Sequence, residues 1–122
     1  MTTLGAEMTA VGHGTVEIHL PFSKQLTQQT GFMHAGAITS VLDSACGYAA
    51  LSVAPESAEV LSVEFKVNLL APAVGDSFVA RAQVKRAGKR LTVCAADAFA
   101  LKNNEEKLVA TMLATMSIAD KY

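Results

Sequence analysis

The segment Gln28–Ala50, QQTGFMHAGAITSVLDSACGYAA, carries residues whose types and spacing suit chemistry on a carbonyl. It places a turn, a lone His34, a helix start at Ala35-Gly36 and a helix-borne Asp43 in one short stretch. Backbone N–H groups at a helix N-terminus, aided by the helix dipole, stabilise negative charge. A carboxylate further along the same helix can handle water or a proton. That pairing suits attack on a carbonyl better than a purely structural role. Gln28 is placed to orient a water or the carbonyl, or is a plain loop residue. His34 can transfer a proton or hydrogen-bond a loop carbonyl.

These residues need a helix to hold them, and the pattern supplies one over Ala35–Val53. Ile38, Val41, Leu42, Ala45 and Ala49 form one apolar stripe at helical spacing. At about 100° per residue the other side carries Gly36, Ser40, Asp43, Gly47 and Ala50. An ordinary solvent face would carry Lys, Glu and Gln. Small residues around one carboxylate imply the close approach of a ligand or a second subunit.

The rest of the chain reads as strands. Val16, Ile18 and Leu20 alternate with Glu17 and His19, giving one strand over Val11–Leu20 that Pro21 ends. Phe22–Gly31 is loop-like, with room for one short helical turn. Leu61, Val63, Phe65, Val67 and Leu69 alternate with polar residues up to Ala71-Pro72. Further strands follow from Gly75-Asp76 to the Ala87-Gly88-Lys89 turn, over Leu91–Leu101, and over Lys107–Ile118 after the turn Lys102–Glu105. The order β-α-β-β-β-β predicts an α+β domain with an antiparallel sheet wrapped around one long helix. On this reading Cys94, Ala96, Ala98 and Ala100 point outward, under a partner.

Composition narrows the function classes. The 122 residues suffice for one domain, 1–122. Apolar residues make up 51%, which points to an oligomer interface in addition to a core. No apolar run approaches the ~20 residues of a membrane span, and the N-terminus lacks a signal-peptide pattern, so a cytoplasmic protein is expected. A net charge of −1 offers no basic face for nucleic acid. Cys46 and Cys94 match no metal or redox spacing and read as small buried residues. His13 and His19, six apart on one strand, have no acidic cluster to complete a metal site. Met33, Met112 and Met116 read as apolar filler, and Phe32 and Tyr48 as pocket lining or core.

Over nearly its whole length the chain resembles the hotdog-fold acyl-CoA thioesterases of the phenylacetate-pathway (PaaI) type. The family pattern is a polar amide residue, Gly, then His-Gly-Gly, then Asp nine residues after the His. Here it reads Gln28, Gly31, His34-Ala35-Gly36 and Asp43. Asp43, Gly47 and Ala49, and the strand VEFKVNLLAPAVGD (Val63–Asp76), resemble it too. Ala35 replaces the first Gly of the pair and Gln28 the Asn often found before the single Gly. Ala35 keeps its N–H, and its presence argues that no positive φ is needed there.

The resemblance implies hydrolysis of a medium-chain or aryl acyl-CoA to carboxylate and free CoA, with no metal or redox cofactor. Asp43 would be base or nucleophile, and Ala35 and Gly36 the oxyanion donors. The basic hairpin Lys85, Arg86, Gly88, Lys89 and Arg90 would clamp the 3′-phospho-ADP end of CoA, if it is not simply an exposed turn. A homodimer, paired again into a homotetramer, would share each site between two chains. A non-catalytic acyl-CoA binding module and a hotdog enoyl-CoA hydratase-like enzyme are the alternatives.

Overall fold

The computed structural model describes residues 5–27 and 32–120, so Gln28 and Gly31 of the motif lie outside the described residues. The elements are β1 (Glu7–Gly12), β2 (Thr15–Pro21), a 3-10 turn at Lys24–Leu26, α1 (Ala35–Val53), β3 (Ala58–Leu69), β4 (Ser77–Ala87), β5 (Leu91–Lys102) and β6 (Glu105–Asp120). The strands form one antiparallel sheet in the order β1-β2-β4-β5-β6-β3. α1 packs against all six strands, so the sheet wraps the helix as the α+β hotdog reading expects. Among the described residues no helix is long and apolar enough to cross a membrane.

The chain begins with two strands where one was expected over Val11–Leu20. His13-Gly14 folds that segment into a hairpin, with Gly12 paired to Thr15. Gly14 sits at φ +83°, a conformation that favours glycine, and its N–H donates to Ser52 Oγ at 2.8 Å. The alternation Val16, Ile18, Leu20 is real and buried, whereas β1 is almost wholly exposed and leaves no alternating signature. His13 therefore lies in the turn and His19 on β2, not on one strand.

The predicted helix stripe is the centre of the core: Ile38, Val41, Leu42, Ala45 and Ala49 are all buried, as are Met33, Met112 and Met116. Ala50, placed by the helical wheel on the opposite face, is buried as well. The β1–β2 hairpin covers that end of the helix, where the Gly14 amide meets Ser52.

Cys94, Ala96, Ala98 and Ala100 correct a second expectation. They point inward under α1 and are buried, while Ala95, Asp97 and Phe99 point away. They pair with Val84, Ala82, Ala80 and Phe78 on β4. Small side chains on the sheet let the helix approach closely. The outward face carries Val93, Phe99 and Leu101, larger and more apolar than the buried alanines, so hydropathy alone does not give the phase.

The buried thiols make a prediction. Burial pushes Cys46 up to about 12 and Cys94 up to about 11. A disulfide reagent at pH 8 is expected to label neither thiol in the native protein and both after unfolding. A pKa raised in the folded state means the unfolded thiols ionise first. Stability from this source is therefore intact below the ordinary cysteine value and lost as pH rises toward 11–12.

β3 is an edge strand of 12 residues. A bulge between Ser62 and Glu64 shifts its phase, so the Leu61–Leu69 alternation does not keep to one face. Before the bulge Ser62 pairs with buried Met116; after it Phe65, Val67 and Leu69 pair with buried Ala114, Met112 and Ala110. Leu61 and Leu69 nonetheless remain 61% and 57% exposed. A long apolar edge of this kind is an aggregation hazard unless something covers it.

Candidate active site

α1 begins at Ala35 with His34 as its N-cap. The His34 side chain makes no capping hydrogen bond, and the first turn holds no acidic residue. The helix end is held through the backbone instead: the His34 N–H donates to Leu26 O at 2.6 Å, and His34 O accepts from Ala37 and Ile38. The amides of Ala35 and Gly36 have no partner among the described residues, which leaves two donors on the positive end of the helix dipole. His34 thus shapes the turn, and its exposed ring does not bond the helix.

Asp43 lies two turns further on and is half-buried. Its Oδ1 accepts a hydrogen bond from Ser62 Oγ at 2.8 Å, and Oδ2 has no partner among the described residues. Ser62 is the partner of Asp43 that sequence reading missed. It sits on the polar side of an alternating strand, where it looks like any solvent-facing serine. Only the bulge and the pairing with inward Met116 turn it toward α1.

Seven residues at ~100° each return to the same side of a helix, so Gly36 and Asp43 share a face. Ser40 and Gly47 complete it, with the Ser40 hydroxyl turned onto Gly36 O at 2.8 Å. A Cβ at Gly36 or Gly47 would meet nothing within 4 Å, so the fold of this chain does not itself require glycine there. Yet at 1.5 Å rise per residue the Gly36 amide and the Asp43 carboxylate are about 10 Å apart along the axis. One chain therefore does not bring them onto one carbonyl.

Two hollows flank these groups. One, of about 380 Å³, lies against Ala35 and is lined by Phe32, Ile38, Leu69, Pro72 and Val109 among other apolar residues. The second, about 450 Å³, holds Asp43 and Ser62 with Ser44, Tyr48, Glu59 and Val60. Phe32 and Tyr48 are pocket lining, and both are partly exposed. A third groove lies at Glu17, Arg81 and Asp97, on the far face of the sheet. Its charges are already satisfied: Arg81 bridges Glu17 at 3.0 Å and Glu106 at 2.6 Å, and Thr111 donates to Asp97 at 2.7 Å. It lies away from the carboxylate and the free amides.

The basic hairpin places Lys85 and Arg86 at the end of β4 and Gly88, Lys89 and Arg90 in the turn, all exposed. None of the four cations joins an ion pair among the described residues. Gly88 has a steric job, since a Cβ there would run into Leu91 O. The Arg90 carbonyl accepts from Ile118 N–H, and Ile118 pairs with Val60 in the wall of the Asp43 hollow.

Relatives extend the picture. Residues 30–107 match the model of the thioesterase superfamily. An esterase-named protein of Saccharolobus solfataricus is 30% identical over 80 residues, 66% of this chain and 56% of its own length. The chain spans 56–64% of the length of the esterase-named relatives it matches. A thioesterase family protein from Silicibacter pomeroyi superposes with a TM-score of 0.97 at 50% identity, covering 99% of this chain and 89% of that one. The PaaI protein of Escherichia coli shares the fold at 22% identity, with a TM-score of 0.85 over 97% of this chain and 82% of its own. With the family model covering most of the chain and the fold matched from end to end, this protein belongs to the hotdog-fold thioesterase superfamily.

Proposed function

We propose that the chain is an acyl-CoA thioesterase whose active site is built between two copies. The observation that carries this is the separation of about 10 Å between the Gly36 amide and Asp43 on one helix face. The midpoint of residues 36 and 43 falls between Thr39 and Ser40. A two-fold axis there sets a second helix antiparallel to the first. Gly36 of each copy then faces Asp43 of the other across Ser40, whose small size permits close contact. The exposed apolar edge of β3 supports the same pairing, because a second copy covers it. Pairing of such dimers into a tetramer is part of the proposal.

In such a site the thioester oxygen lies on the Ala35 and Gly36 amides. Asp43 Oδ2 takes a proton from a water molecule, which attacks the carbonyl carbon. The amides hold the negative charge that develops on oxygen. Collapse breaks the C–S bond, and the CoA thiolate leaves and is protonated. Ser62 fixes the carboxylate through Oδ1 and so acts as a positioning residue. No step calls on a metal or redox cofactor. Lys85, Arg86, Lys89 and Arg90, in no ion pair among the described residues, offer four charges to the phosphates of CoA. Gln28 is assigned to orient the water or the thioester, and His34, at the helix start, to shape the turn.

The experiment is release of free CoA from a panel of acyl-CoAs, read with a disulfide reagent; the protein's own buried thiols add no background. Tight binding without CoA release would identify a binding module. Hydration of an enoyl-CoA without CoA release would identify a hydratase. Ser62→Ala tests the positioning role. A hydrogen bond to a charged group contributes ~1.5–3 kcal/mol. The variant is therefore expected to lose about 10–100-fold in kcat with little change in KM, and Ser62→Thr to recover much of it.

A further inference from the structure

We infer that a second dimer of this chain docks on the outer face of the sheet, centred on Glu64, Lys66 and Leu113, and closes four chains. This rests on the two-fold axis of the shared-site reading above, and it gives the pairing of dimers its surface. β3, β5 and β6 turn alternate residues away from α1. On that side Leu113, Leu91 and Leu61 are 53%, 52% and 61% exposed. By register Leu113 stands between Ala95 on β5 and Lys66 on β3, and Thr115 between Val93 and Glu64.

Burying this face leaves few charges to neutralise. Arg81 already bridges Glu17 and Glu106, and Thr111 donates to Asp97. Glu64 and Lys66 remain, and neither joins an ion pair among the described residues. The Thr115 hydroxyl donates to Glu64 Oε1 at 2.6 Å and so holds the carboxylate over β6.

The place of the dimer axis follows from what α1 meets on β3. Asp43 meets Ser62, and Ala35 shares a hollow with Leu69, Leu70 and Ala71. The middle of that helix segment, at Thr39–Ser40, therefore lies over Phe65–Lys66. Charge decides between the two. An axis on Lys66 sets Lys66 against Lys66, whereas an axis on Phe65 sets Lys66 of each copy against Glu64 of the other.

Closure then fixes the second contact. Four chains close only if their two-fold axes meet at one point, so the axes between dimers cross the first one beneath Phe65. The axis that runs across the strands lays each strand on its own copy, reversed about the row Phe65–Ala114–Cys94. Lys66 then faces Glu64 of the copy beneath, Leu113 faces its Thr115, and Ala95 faces its Val93. Opposite charges meet, and a large side chain meets a small one. The outward strips of β3 and β6 alone, about 10 Å by 34 Å in each chain, come to ~1,300 Å² over four chains, the size of a stable interface.

Sedimentation equilibrium of the full chain is expected to show four chains. Leu113→Arg, at an exposed position, should fold and should raise the dimer–tetramer dissociation constant at least ~100-fold by burying an unpaired cation. It should leave two-chain particles whose CoA release per chain is unchanged, because Leu113 faces away from α1. Glu64→Lys should also lose the four-chain species, and Glu64→Lys combined with Lys66→Glu should restore it. Four chains that persist in Leu113→Arg overturn the inference, as does a double exchange that stays apart. A two-chain parent that Leu113→Arg leaves intact overturns it too and keeps the helix-side pairing. A two-chain parent that Leu113→Arg splits into single chains upholds the sheet face and overturns the helix-side pairing. Four chains that fall to two, with CoA released from no acyl-CoA, uphold the docking face and overturn the hydrolase reading.

Discussion

Asp43→Asn is expected to lower kcat for acyl-CoA hydrolysis by about 10³-fold or more, with KM changed by less than about threefold. Asparagine is nearly isosteric with aspartate. Its Oδ1 can still accept the Ser62 hydroxyl hydrogen bond seen at 2.8 Å, so the local geometry survives. Its amide nitrogen cannot take a proton from water. Asp43 is half-buried and pairs with one hydroxyl, so the variant should unfold within about 0.5 kcal/mol of the parent. Loss of turnover at constant stability and constant ligand affinity identifies a group that works in the transition state. A single turnover in ¹⁸O-labelled water should put the label in the released acid and none in Asp43, as general-base catalysis requires. A large drop in stability with modest loss of kcat would return Asp43 to a structural role.

How far the sequence reveals this site depends on what kind of information each part needs. The helix and its stripe were legible because Ile38, Val41, Leu42, Ala45 and Ala49 must face one core, and period 3.6 shows that directly. The small face with Asp43 was legible for the same reason. Its Ala50 was misplaced because the helix end is covered by a hairpin that local pattern does not reveal. The phase of β5 was not legible, since Val93, Phe99 and Leu101 on its outward face are larger and more apolar than the alanines that α1 covers. The bulge in β3 is likewise a property of pairing with β6, and with it goes the position of Ser62. In each case the period belongs to one segment, while the phase is set by a neighbour distant in sequence. The site inherits that division: Asp43 and the helix start came from one segment, and Ser62 came from a strand pairing.

Mixing two inactive variants should restore activity. Asp43→Asn removes the base and keeps the oxyanion donors. Gly36→Leu crowds the donor end, where a Cβ meets nothing in its own chain and the protein should therefore fold normally. Each variant alone is expected to fall by at least about 10²-fold, the cost of losing one oxyanion donor. In a heterodimer the intact Gly36 of one chain faces the intact Asp43 of the other, while the twin site carries both lesions. Random exchange at equal amounts makes about half the dimers mixed, each with one working site, so about a quarter of the parent activity should return. A site held within one chain predicts none, because every chain carries a lesion. The gap between a quarter and nothing is far larger than any uncertainty in exchange. The same logic identifies the contact itself: Ser40→Trp, at an exposed residue beside the axis, should push the helices apart. That variant should lose activity together with the dimer.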